Sequence, residues 1–235
     1  MKKLIVFVLA VVLFGSCKKD DDYCAGFTNI LDNNFEQYLI NLGYDNNIDG
    51  QVLTSNICAI DTLMIGDTNI LDLSGIEDFI GLTHLAFDCK ISNIDLSKNI
   101  SLTHLGVSYT DLSSLDLSRN LQIEYLIMTL TPIISLNLGT NSNLKELECP
   151  YNYQLESLDL SNIINLELIY VNDNNLLNCL NLKNINITSL DYDFHPNPNL
   201  TCIEVDDPNW ATQNMFSNSG QWTFSSNCNN SAGCF

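Results

Sequence analysis

Residues 102–120 read LTHLGVSYTDLSSLDLSRN, and one apolar spacing occurs in them twice. Leu102, Leu105 and Val107 set the pattern apolar-x-x-apolar-x-apolar, and Leu112, Leu115 and Leu117 repeat it. Alternation over so short a run marks a strand with one face turned inward. Working outward, the first half-pattern recurs at Ile60, Leu82, Leu102, Ile123, Leu144, Leu166 and Ile187, in steps of 22, 20, 21, 21, 22 and 21 residues. The second recurs at Ile91, Leu112, Ile133, Leu155, Leu177 and Leu200. A single turn cannot bury its own apolar edge, but stacked turns can. The spacing therefore predicts a solenoid with parallel strands on both sides of most coils.

This nested period resembles the leucine-rich repeat proteins, more narrowly the bacterial type with a half-period, over residues 60–205. The resemblance implies a leucine-rich repeat solenoid. In the first repeat Ile76, Phe79 and Leu82 are spaced by three, similar to the outer 3₁₀ or helical turn of internalin-like repeats. Asn99, Asn120, Asn141, Asn152 and Asn174 close half-turns. An amide side chain both donates and accepts, so these residues are expected to satisfy turn backbone in their own and adjacent coils.

Both ends of such a core need covers. Residues 27–59 read as the N-terminal cap. Asn33 and Glu36 are spaced as a capping box, and Phe35, Tyr38, Leu39 and Leu42 form a helical stripe that Gly43 ends. Residues 206–235 read as an irregular C-terminal cap anchored by Trp210, Phe216, Trp222 and Phe224.

At the start of the chain, Lys2 and Lys3 precede an apolar run over residues 4–14. That run is too short to cross a bilayer, and residues 1–16 read as a secretory signal. LFGSC at 13–17 resembles the lipobox of bacterial lipoproteins, with Phe14 where Leu is usual. The resemblance implies cleavage before Cys17, lipidation of Cys17 and membrane attachment through that lipid. Residues 17–26 then form an acidic tether. Its KKDDD start resembles the surface-export signal of some Gram-negative lipoproteins, which implies an outer-membrane, surface-exposed protein.

Removing residues 1–16 leaves seven basic residues against 28 acidic ones. Such a surface repels phosphate backbones, so nucleic acid is not an expected partner. A monomer is expected. Eight cysteines follow Cys17, an even number in an oxidising compartment. Cys24 with Cys58 would brace the N-terminal lid; Cys179 and Cys202 fall in register in neighbouring coils, close enough to be bridged, and Cys202 with Cys228 is the rival pairing, tying the cap to the last coil. Cys149 falls at an inward position and reads as a buried thiol.

Four features are candidates for function, three of them on the repeats. Tyr109, Tyr125, Ile127, Leu130, Tyr151, Tyr170 and Phe194 are expected to face outward on one side, as a binding face for protein or glycan. His84 and His104 fall in register and should stack about 4.8 Å apart; they read as exposed ladder residues. Asp95, Asp116, Asn137, Asp159, Asn181 and Glu204 form a column on the other side. It reads as a solvated row, with cations or basic proteins as the alternative ligands.

The loop DNNIDG at 45–50 matches the start of an EF-hand. Asp45, Asn47, Asp49 and Gln51 would be its calcium ligands. The twelfth position is Asn56 instead of Glu, so the loop reads mainly as a turn, with weak calcium binding second and no other cofactor. G-x-S-x-G, H-E-x-x-H, P-loop and G-x-G-x-x-G motifs are absent. Non-catalytic binding is the expected activity. A structural envelope role with cation-binding faces is the second reading, and a polysaccharide-active enzyme the third.

Overall fold

The computed structural model describes residues 23–215 and 222–228. Cys17, the tether to residue 22 and Phe216 lie outside the described residues. The elements in chain order are β1 (Phe27–Asn29), α1 (Asn33–Asn41), β2 (Gln51–Leu53), α2 (Thr54–Ile57), β3 (Thr62–Ile65), β4 (His84–Asp88), β5 (His104–Ser108), β6 (Ser114–Asp116) and β7 (Tyr125–Thr129). They continue as β8 (Ser135–Asn137), β9 (Glu146–Glu148), β10 (Ser157–Asp159), β11 (Leu168–Tyr170), β12 (Cys179–Asn181), β13 (Asp191–Asp193), β14 (Cys202–Glu204), α3 (Pro208–Asn214) and β15 (Thr223–Ser225).

The first half-patterns build one seven-stranded parallel sheet, in the order β3, β4, β5, β7, β9, β11, β13. Register places Leu63, Leu85, Leu105, Leu126, Leu147 and Ile169 in one column. All six are at most 2% exposed, so this column is the spine of the core. The second half-patterns build the opposite side, as the pair β6–β8 and the four-stranded sheet β10–β12–β14–β15. In the first full coil a 3₁₀ turn over Ile76–Asp78 takes the place of that second strand.

Buried asparagines bolt each coil to the one before it. Asn120 Nδ2 donates to the carbonyls of Leu96 and Asn99 at 2.9 and 3.0 Å. Asn174 Nδ2 donates to the carbonyls of Cys149 and Val171 at 2.8 and 2.7 Å, and its Oδ1 accepts the backbone N–H of Asn152 at 2.7 Å. Buried backbone polar groups must be paired, and these amides supply partners to turn groups inside the stack.

The caps differ from the sequence reading in three places. The N-cap of α1 is Asp32, whose Oδ1 accepts from the N–H groups of Asn34 and Phe35 at 2.7 and 3.2 Å. Glu36 does not reach back to close a capping box; it binds a loop, as described below. At the C-terminal end the cover is regular. Asp207 caps α3 through the N–H of Trp210 at 2.9 Å, with proline as the first helical residue. β15 then pairs in parallel with β14 and extends the second sheet by one strand. Finally, β13 pairs with β11 as Leu168 with Asp191, two residues later than counting from Ile187 predicts. Turns around Asn186 absorb the two residues, because Ile185 and Leu190 are both buried there.

Candidate exposed strand face

Side chains of the seven-stranded sheet alternate, so every second residue points away from the core. Two outward columns follow from the register. One is Thr62, His84, His104, Tyr125, Glu146, Leu168 and Asp191; the other is Met64, Ala86, Gly106, Ile127, Glu148, Tyr170 and Asp193.

The N-terminal half of this face is apolar. Met64 and Ile127 are 47% and 46% exposed. Between them Ala86 and Gly106 leave a shallow depression of about 350 Å³. A Cβ at position 106 would lie 3.1 Å from Ala86 Cβ, so the floor is already close-packed. Beside it the rings of His84, His104 and Tyr125 stack at 4.1 and 4.4 Å. Burial, and then the neighbouring His84, pushes the His104 pKa down.

The C-terminal half is acidic. Glu148 has its carboxyl raised by burial and then by Glu146. Tyr170 donates its hydroxyl to Asp191 Oδ2 at 3.2 Å. Burial and that hydrogen bond raise its pKa. Lys145, the lysine of this region, is engaged by Glu124 at 2.6 Å.

The bend beyond the sheet carries a further row. Tyr109, Leu130, Tyr151 and Asp173 hold φ of 52, 56, 60 and 60°. Their backbone is drawn there by coil-to-coil bonds. The N–H of Tyr109 donates to Thr129 O at 3.2 Å, that of Tyr151 to Asn172 O at 3.2 Å, and that of Asp173 to Pro196 O at 2.8 Å. Tyr109 and Tyr151 are exposed, and Tyr125, Leu130 and Tyr170 are half-buried. Asp173 raises the Tyr151 pKa by its charge.

Phe194 does not join this row. It is 1% exposed and stacks on Tyr192 at 5.0 Å, because the two-residue shift of the last coil moves it to the inward position. Met64 and Tyr153 are two exposed residues near this face that sequence reasoning passed over. Met64 was legible as the column partner of Ile127; Tyr153, in a turn, carried no such signal.

The opposite column has a structural explanation. Asp95, Asp116, Asn137, Asp159 and Asn181 each accept, through Oδ1, the N–H two residues on, at 2.8 to 3.0 Å. These are Asx turns that shape the bend. Glu204 meets Lys183 at 2.5 Å.

The 45–51 loop is organised around a carboxylate. Glu36, fully buried, accepts through Oε1 the backbone N–H groups of Asp49, Gly50 and Gln51 at 3.0, 2.7 and 3.1 Å. Asn47 Nδ2 donates to Asp49 Oδ2 at 2.6 Å. Asp45 lies apart in this bonding scheme. Three backbone donors of the turn thus converge on one carboxylate oxygen, while Glu36 Oε2 and Asp45 Oδ2 are buried without a hydrogen-bond partner. Among the described residues no three His, Cys, Asp or Glu side chains are grouped to hold a metal.

Disulfides join Cys24 to Cys58 and Cys202 to Cys228. The first ties β1 to the start of the solenoid and the second ties β15 to the last coil. Cys202 is thus unavailable to Cys179, which is disulfide-bonded elsewhere. Cys89 and Cys149 are buried thiols, each pushed up to about 12 by burial.

This architecture is a leucine-rich repeat solenoid. An internalin, InlF of Listeria monocytogenes, superposes with a TM-score of 0.59 at 17% identity, over 76% of this chain and 65% of that one. The functional domain of InlJ from Listeria monocytogenes, described as including a cysteine ladder, gives a TM-score of 0.49 at 21% identity, over 77% of this chain and 52% of that one. The chain thus spans less than two thirds of either protein, and the likeness is one of fold. No family model and no curated protein matches the chain.

Proposed function

We propose that the chain captures a protein ligand through the exposed face of the seven-stranded sheet and the bend that continues it, without catalysis. The observation that carries this is the backbone at Tyr109 and Tyr151. A left-handed residue with a Cβ costs roughly 1 kcal/mol, which glycine avoids and asparagine reduces. The chain keeps tyrosine at both positions, 50% and 40% exposed, where burial returns little. Large side chains held outward against the local backbone preference fit contact with another molecule. Tyrosine supplies such contact area at low entropy cost. Glu146, Glu148 and Asp191 at the same face favour a basic partner over an acidic one. Lipidation of Cys17 and display on the outer membrane belong to the same proposal and rest on residues 1–22.

The test is a combined Tyr109→Asn, Tyr151→Asn and Tyr170→Thr variant of the full chain, probed on protein and glycan arrays. Protein capture by the wild type is expected to weaken at least tenfold in the variant, at an unchanged thermal midpoint. Undiminished capture by the folded variant, or capture of glycans alone, would overturn the reading.

A further inference from the structure

Asp88 is the charged residue that lines the depression beside Met64, together with Ala86, Gly106 and Ser108. Three carboxylates act on this end of the solenoid: burial, and then the charges of Asp88, Asp32 and Asp67, push up the Cys89 thiol. Two of the three are well supplied with donors. Asp32 accepts the N–H groups of Asn34, Phe35, Leu71 and Asp72, and Asp67 accepts the backbone and side-chain N–H groups of Asn69. Asp88 differs, because its Oδ1 is shielded from solvent and has no hydrogen-bond partner, which leaves Oδ2 as the accessible oxygen. The four lysines among the described residues are paired elsewhere, to Asp111, Asp78, Glu124 and Glu204. A carboxylate partly cut off from water and given no donor is costly, and a cation arriving from outside relieves that cost.

We propose that this depression seats a lysine side chain of the captured protein, with its stem on the Ala86–Gly106 floor and its ammonium at Asp88. The inference deepens the capture reading and rests on it. Ala86 and Asp88 are two residues apart on one strand, roughly 6.6 Å. A four-carbon stem covers that reach, and such stems lie along apolar surface while the charged head stays polar. Met64, unbranched and half-exposed, is free to close over the stem. The volume of about 350 Å³ is at the small end for a ligand site, which suits one side chain and nothing larger. The covered Oδ1 favours lysine over arginine. A guanidinium gains most from two parallel bonds to both carboxylate oxygens, and only Oδ2 is open here. An ammonium is a compact point charge and needs one oxygen.

The test uses n-pentylammonium as the probe, at pH 7, on the full chain carrying ¹³C at its methionine methyls. There are four methionines, and Met64→Leu assigns the signal from the depression. A saturable shift of the Met64 methyl is expected, with the buried Met128 unmoved. Asp88→Asn should weaken amine binding about fivefold or more. Ala86→Leu, which fills the floor, should weaken it about tenfold or more, both variants keeping the wild-type thermal midpoint. The wild type should bind n-pentanol and n-butylguanidinium at least threefold more weakly than the amine. On the protein arrays Asp88→Asn should weaken capture at least threefold. An amine affinity within twofold of wild type in Asp88→Asn would overturn the subsite, as would guanidinium binding as tight as the amine or a Met64 signal that does not move. Any of those results beside tyrosine-dependent capture would leave the capture reading standing. Capture indifferent to the tyrosines, in a chain that still takes the amine at Asp88, would overturn the capture reading alone.

Discussion

Asn137 donates a side-chain N–H to Asp116 Oδ1 across 3.0 Å, from one coil to the coil before it. The same oxygen takes the backbone N–H of Ser118 at 2.9 Å. Asn181 and Asp159 repeat the pair further along, at 2.9 Å. The column that looks acidic in sequence is in large part a set of interlocking turns. Asp and Asn serve equally in it as acceptors.

That equivalence predicts that Asp116→Asn changes stability by less than about 0.5 kcal/mol at pH 7. Asp116→Ala, which removes the acceptor, should cost about 1 kcal/mol. Urea midpoints of the two variants compare them directly.

The carboxylates of Asp116 and Asp95 are held below their ordinary range, chiefly by the backbone N–H groups of Ser118 and Ser97. A depressed acid contributes stability that is present above its unfolded value, near 3.9, and is lost as pH falls through the folded one. Unfolding midpoints should therefore drop below about pH 4. The drop should shrink in Asp116→Asn, and an equal drop in both proteins would contradict the assignment.

Asn174→Ala should be far more damaging. It strands the carbonyl of Cys149 and the N–H of Asn152 inside the stack, and leaves the Val171 carbonyl to Asn197 Nδ2 alone. A loss of roughly 3 kcal/mol is expected, since each buried group left unpaired costs about 1–3 kcal/mol. Asn174→Asp should be no better, because it turns a donor into an acceptor facing two carbonyls.

Glu36→Ala should release the 45–51 loop and cost about 3 kcal/mol. Hydrogen exchange reports this locally: the amides of Asp49, Gly50 and Gln51 are expected to lose protection while those of β5 and β7 keep it. Calcium calorimetry bears on the same loop. Heat that survives Asp45→Ala and Asp49→Ala would place any bound calcium elsewhere.

Cys89 and Cys149 should resist iodoacetamide in the native protein at pH 8 and react fully in denaturant. Burial both shields the thiols and keeps them protonated, and the thiolate is the reactive form. Mass spectrometry of the alkylated chain reads the outcome. Rapid native labelling of Cys149 would mean that its coil opens locally.

The repeat was legible because burial and period are one fact in a solenoid: Leu63, Leu85 and Leu105 had to be apolar in phase to meet. The last coil broke the count, since its two extra residues sit in a turn and leave the leucine pattern intact. Phe194 was misplaced for that reason alone. Asp207 and Pro208 did carry a helix-start signal, but the repeat pattern had just ended and nothing else marked an element. β15 was invisible because a lone strand has no repeated partner; its register depends on β14 and the Cys202–Cys228 bridge. Left-handed tyrosines were unreadable too, because their conformation comes from the neighbouring coil and not from their own preference.

The asparagine bolts also give the molecule a direction in time. Every one of them reaches back to a coil made earlier: Asn120 to Leu96, Asn141 to Asn120, Asn174 to Cys149. A coil leaving the ribosome is thus incomplete until the next has followed it. Synthesis, which delivers the N-terminal end first, supplies each missing donor in order. A nascent chain halted midway would always carry unfinished carbonyls at its growing tip, whereas the segment behind the tip would already be locked.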